Sequence, residues 1–180
     1  MKRLVCLMSL VLAVSLSVAA QDAPKAEVFG GYSYLRANPG LGAPGFNLNG
    51  GSGSISYNLS SAIGIVADFG GYHASNIYGS GVSGNIFSYT FGPKFVYRSG
   101  KVEPFAQALF GGARASGGGT NNNAFAMALG GGVDVKATEH VAIRLIQAEY
   151  VMTRFNIVGV ATDQNNARIS AGIVFRFGSQ

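Results

Sequence analysis

The chain has 180 residues, 48% hydrophobic and only 12% charged, with 13 basic against 8 acidic side chains. That small, scattered positive excess excludes a nucleic-acid footprint. No apolar run after residue 20 approaches the length of a spanning helix, yet mean hydropathy is positive.

The first 20 residues have the pattern of a secretory signal. Lys2 and Arg3 form a basic start, Leu4 to Val18 is an apolar run broken by serines, and Val18-Ala19-Ala20 is a small-residue cleavage site. Cleavage is expected after Ala20, leaving residues 21–180 as one domain. Cys6 lies inside the signal with no apolar stretch before it, so it does not read as a lipoprotein cysteine. The mature chain then has no disulfide and no thiolate metal site. A hydrophobic, exported chain without a spanning helix is resolved by alternating strands closed into a barrel.

Eight strand segments follow in order: residues 27–36, 49–58, 63–73, 86–98, 102–114, 124–136, 141–155 and 166–177. β-branched residues, aromatics and glycine dominate them, and none carries a capped 3.6-residue stripe. Connectors alternate in length. Residues 59–62, 99–101 and 137–140 are short, whereas 37–48, 74–85, 115–123 and 156–165 are longer and rich in Gly, Asn and Ser. Short turns at one rim and long loops at the other describe an outer-membrane barrel with both termini at the periplasmic rim. The expected fold is all-β, an eight-stranded antiparallel up-and-down transmembrane β-barrel.

Parity assigns the faces, because successive strand side chains point to opposite sides. In the last segment Ile169, Ala171, Ile173, Phe175 and Phe177 oppose Arg168, Ser170, Gly172, Val174 and Arg176. The fourth sets Phe87, Tyr89, Phe91, Phe95 and Tyr97 against Ser88, Thr90, Lys94 and Arg98, and Pro93 removes one ladder donor on its aromatic face. The third sets Ile63, Ile65 and Phe69 against Asp68 and Tyr72, and the sixth isolates Asp134 among glycine and alanine. The second is weakly marked and the fifth ambiguous. The seventh breaks parity: Arg144 and Glu149 fall on opposite faces. A charge facing lipid near mid-membrane costs about 2–4 kcal/mol for Arg and less for Glu. A β-bulge near Leu145–Ile146 is therefore expected to return Gln147 and Glu149 to the interior.

The lumen is thus expected to hold Asp68, Lys94, Asp134, Arg144, Glu149, Arg168 and Arg176, with Gln107. An eight-stranded barrel is just wide enough to be filled by its own side chains, and buried charges must be paired. An ion-pair network filling a closed barrel is the expectation, and a solute pore is disfavoured.

Other signals are weaker. His73 and Ser75, in His73-Ala74-Ser75-Asn76, could share a face as base and nucleophile. The pattern resembles the His-x-Ser-Asn motif of the outer-membrane lipid A deacylases. There the pair lies late in the chain and an acidic residue follows soon after, whereas here it lies early and the next acidic residue is Glu103. Residues 40–45 and 79–84 both spell G-x-G-x-x-G, but neither precedes a helical pattern. His140 stands beside Glu139 with no second histidine nearby, so neither a metal nor a cofactor is expected. A soluble lipocalin-like barrel would need the opposite polarity, apolar inside and charged outside.

Taken together, the signal, Val28-Phe29-Gly30-Gly31-Tyr32-Ser33-Tyr34, Phe91-Gly92-Pro93-Lys94-Phe95 and the terminal Phe175-Arg176-Phe177 resemble the small outer-membrane β-barrels that include the barrel domain of the OmpA-like proteins. The resemblance spans residues 26–177. It implies a bacterial outer-membrane location, contact with outer-membrane lipid and lipopolysaccharide, and insertion by the barrel assembly machinery, which reads an aromatic-ended last strand. Gly178-Ser179-Gln180 follows that aromatic here, a small departure. The resemblance names no loop ligand and no activity.

Overall fold

The structure is a computed structural model that describes residues 23–39, 43–157 and 160–179. The expected signal and the start of the first G-x-G-x-x-G lie outside the described residues. Eight strands run in chain order: β1 (Pro24–Ala37), β2 (Phe46–Asn58), β3 (Ile63–Ala74), β4 (Gly84–Val96), β5 (Val102–Gly117), β6 (Thr120–Lys136), β7 (Val141–Ile157) and β8 (Val160–Ser179). Each pairs antiparallel with the next, and β1 pairs with β8, so the sheet closes with no free edge.

Except for β4, which starts and ends two residues earlier than expected, the strands are longer than the sequence segments, mostly at the outer rim. Residues expected as loops at 115–123 and 156–165 largely continue β5 through β8. The β5–β6 hairpin turns only at Gly118-Gly119, with φ of 58° and 81°. That pair of positive φ values is the type I′ turn that suits strand twist, and glycine adopts it freely. The two other outer connectors remain loops, and the β3–β4 connector carries a one-turn 3₁₀ helix, Ile77–Gly79.

Two inner-rim turns share one construction. In each, two successive backbone N–H groups converge on one carbonyl: Leu59 and Ser60 on Ile63, and Ala137 and Thr138 on Val141. The Ser60 hydroxyl then accepts from Ile63 N–H, as Thr138 does from Val141 N–H, both at 3.1 Å. These hydroxyls explain why the turns are short and tight.

The β-bulge lies where parity required it. Opposite β8, pairing jumps from Arg144–Gly172 to Gln147–Ser170, and opposite β6 from Asp134–Arg144 to Val133–Ile146. Leu145 and Ile146 both face outward, while Arg144, Gln147 and Glu149 are buried. Pro93 leaves the expected gap: β4–β5 pairing runs to Phe91–Phe110 and resumes at Lys94–Gln107.

Polarity is inverted relative to a soluble protein. Phe87, Tyr89, Phe91, Phe95 and Tyr97 are 44–63% exposed on the outside. Lys94, Asp68 and Arg144, by contrast, are at most 3% exposed inside. This arrangement rules out the lipocalin-like alternative. No helix among the described residues is long and apolar enough to cross a membrane.

Candidate functional site: the filled lumen and the outer rim

The buried charges stack in three tiers. At the inner end, Glu27 of β1 accepts from Lys94 at 2.7 Å and from Arg98 at 3.1 Å. Arg176 of β8 pairs with Glu103 of β5 and lies 3.7 Å from Glu27. Arg98 stands just past the end of β4, yet it is buried and also donates to the Ser61 carbonyl.

In the middle tier, Arg144 donates from Nε and Nη2 to the two oxygens of Asp134 at 2.8 and 2.9 Å. Its Nη1 donates to Gln147 at 2.6 Å. The guanidinium lies between the rings of Phe29 and Phe105, 4.3 Å from each centroid. Stacking on both faces suits a planar, weakly hydrated cation as it would not suit lysine.

In the outer tier, Arg168 joins Asp68 at 2.7 Å and Glu149 at 2.5 Å, and also donates to the Tyr72 hydroxyl at 3.0 Å. Gln107 donates to the other Glu149 oxygen at 2.8 Å. β3, β5, β7 and β8 thus meet across the lumen at one level.

All seven charged residues named from the sequence, with Gln107, lie inside these tiers. Sequence reasoning missed Glu27, Arg98 and Glu103 as members. Arg98 was on the inward parity of its strand. Glu27 and Glu103 were obscured because Phe29, Leu35, Phe105 and Leu109 also face inward, so β1 and β5 read as apolar on both faces. The lumen is also less uniformly polar than expected. Above Arg168, Leu35, Ile86, Ala113, Val151 and Phe155 line a cavity of about 20 Å³, room for a water but not for a solute.

Among the described residues no hydrogen bond joins His73 to Ser75. β3 ends at Ala74. The exposed His73 ring uses Nδ1 to reach Asn85 Oδ1 at 2.8 Å. Both residues lie at the outer rim, and Glu103, the next acidic residue in the sequence, is at the opposite end of the barrel in the inner tier. His140 lies in the β6–β7 turn at the inner mouth.

A closed antiparallel sheet with an apolar outside and a paired ionic interior defines a transmembrane β-barrel. The family model for the outer membrane protein beta-barrel domain matches residues 6–177. The chain belongs to that family, and its place is the bacterial outer membrane. Among solved structures it is similar to Neisserial surface protein A, at 18% identity and a TM-score of 0.67, covering 87% of this chain and 100% of that one. It is similar also to Ail, the attachment invasion locus protein of Yersinia pestis, at 18% identity and a TM-score of 0.55, over 85% and 99% of the two chains. OprG of Pseudomonas aeruginosa matches at 10% identity and a TM-score of 0.51, over 88% and 98%. Ail has also been solved in complex with the heparin analogue sucrose octasulfate. No curated protein sequence matches the chain.

Proposed function

We propose that this outer-membrane barrel is a non-enzymatic, non-conducting surface protein that engages partners through its outer loops and hairpins. Residues 1–20 serve as the cleaved signal, residues 21–180 form the barrel domain, and the barrel assembly machinery inserts it. The observation that carries the reading is the division of charge. The lumen uses five acids and five bases on one another, which leaves the outer rim to interact. Among the described residues that rim carries Arg36, Arg114 and Arg154 against Asp163 alone, amid Asn, Ser and Thr. This excess suits an anionic surface partner such as a sulfated glycan, the class of ligand represented by the octasulfate bound to Ail.

Retention of the refolded mature protein on immobilised heparin tests this. Binding at low ionic strength that weakens with added salt, and falls in a variant carrying Arg36→Gln with Arg154→Gln, is expected. Flow-through at low ionic strength would refute the anionic-partner reading. The enzymatic alternative is tested separately by lipid A mass spectrometry of cells carrying Ser75→Ala, where the acyl pattern is expected to stay unchanged.

A further inference from the structure

A polar row crosses the outside of the barrel one step above its aromatic band. Cross-strand pairing aligns Asn49, His73, Asn85 and Ser116 from β2 to β5. One register step inward lie Gly51, Gly71, Phe87 and Arg114, and the next row contains Phe69 and Tyr89. Of these, Asn49, His73, Asn85, Phe87, Arg114 and Ser116 line a cleft of about 340 Å³. Its floor is the backbone of Gly71, where an added Cβ would meet nothing within 4 Å.

The chemistry of the row is one-sided. The Tyr32 hydroxyl donates to Asn49 Oδ1 at 2.5 Å, which leaves the Asn49 amide N–H groups free to donate. Asn85 Oδ1 can only accept, so His73 Nδ1 carries the hydrogen and the Asn85 amide is likewise left as a donor. No carboxylate lines the cleft. Arg36 is bonded to Asn47 and Arg154 is paired with Asp163, but Arg114 has neither a hydrogen bond nor an ion pair among the described residues. An unpaired guanidinium with amide donors across a cleft is a site for an anion with several oxygens, and a phosphate group matches it bidentately.

The height of the cleft selects the source. Arg114 is level with Phe87, which is half exposed on the lipid side, and just above Phe69 and Tyr89. With about 3.4 Å per residue along a strand, the donors sit at the headgroup level of the outer leaflet, where a long cationic side chain keeps its stem in apolar surroundings. We propose that this cleft binds a phosphate group of an outer-leaflet lipid, with Arg114 as its charged anchor and Asn49 and Asn85 as flanking donors. The proposal rests on the membrane placement of the rim and not on the soluble-partner reading above.

Competition binding by native mass spectrometry tests it, using the mature protein in detergent micelles. The probes are phosphorylated lipid A, the same lipid A after phosphatase treatment, and inorganic phosphate alone. Wild type should prefer the phosphorylated lipid about tenfold, the worth of one charge-assisted hydrogen-bonded contact. Arg114→Gln should lose the preference, and Arg114→Lys should keep part of it. Gly71→Phe, which fills the floor of the cleft, should weaken capture of the phosphorylated lipid in a fold that heat-modifiable gel mobility verifies independently. The combined Arg36→Gln and Arg154→Gln variant, expected to lower heparin retention, should leave lipid preference unchanged. Equal binding of both lipids by wild type would overturn the proposal. So would an undiminished preference in folded Arg114→Gln or folded Gly71→Phe. Displacement of the lipid by inorganic phosphate would replace the lipid with a soluble anion as the occupant and would also overturn it.

Discussion

Arg144 illustrates what makes a charge acceptable inside a narrow barrel. Its guanidinium donates to both Asp134 oxygens and to Gln147, and both of its faces are covered by aromatic rings. Removing one member leaves the other charged and buried, which costs about 3–5 kcal/mol, whereas replacing both with apolar groups costs far less. Arg144→Leu should therefore lower the unfolding free energy in lipid vesicles by roughly that amount. A combined Arg144→Leu and Asp134→Leu change should recover much of the loss. Equal stability of the single variant and wild type in urea titrations would show that the pair is hydrated after all. Gly132 contributes to the same arrangement. A Cβ there would lie 2.8 Å from the Phe105 ring and 2.3 Å from the Ile146 carbonyl oxygen. Gly132→Ala should thus displace one of the two rings that hold Arg144 and reduce stability by the 1–3 kcal/mol typical of overpacking, again measured by urea unfolding.

At the scale of elements, β7 shows how a violation of parity can be informative. Arg144 and Glu149 are five positions apart, an odd offset, so a regular strand cannot bury both. The price of a charge facing lipid exceeds that of one unpaired backbone residue, and the strand bulges. Deleting Ile146 restores regular alternation while keeping Gln147 and Glu149 inward. This deletion variant should refold to a heat-modifiable form with the Arg168 pairs intact. Failure to refold would mean that the bulge itself is needed for closure. The strands whose faces were legible from sequence were those with a polar inner face, such as β4 and β8. β1 and β5 were not, because burying Phe29, Leu35, Phe105 and Leu109 in the lumen removes the contrast that parity depends on. The outer hairpins were hidden for a different reason. Thr120–Asn123 and Asp163–Asn165 have loop composition, but they continue as strand because each already has a paired neighbour to extend against.

For the whole molecule, the decisive property is that the three tiers lie in series along one lumen. Glu27, Asp68, Glu103, Asp134 and Glu149 balance Lys94, Arg98, Arg144, Arg168 and Arg176, and every one of the ten is buried. A barrel of eight strands has no spare cross-section once such side chains are paired across it. Buried pairs are also little affected by screening, so added salt should neither loosen the plug nor open a path. A passage must clear every tier, because a break in one leaves the others shut. Removing the charges of the outer tier alone, with Asp68→Asn, Glu149→Ala and Arg168→Ala together, leaves Arg144 clasped between Phe29 and Phe105 above the inner five charges. Wild type and this outer-tier variant should therefore both show no discrete conductance steps in planar bilayers, at low or high salt. A variant that also replaces Arg144 and Asp134 should begin to leak. Steps in wild type, or in the outer-tier variant, would mean that the tiers exchange partners to pass ions, and the lumen would then be a path and not a plug.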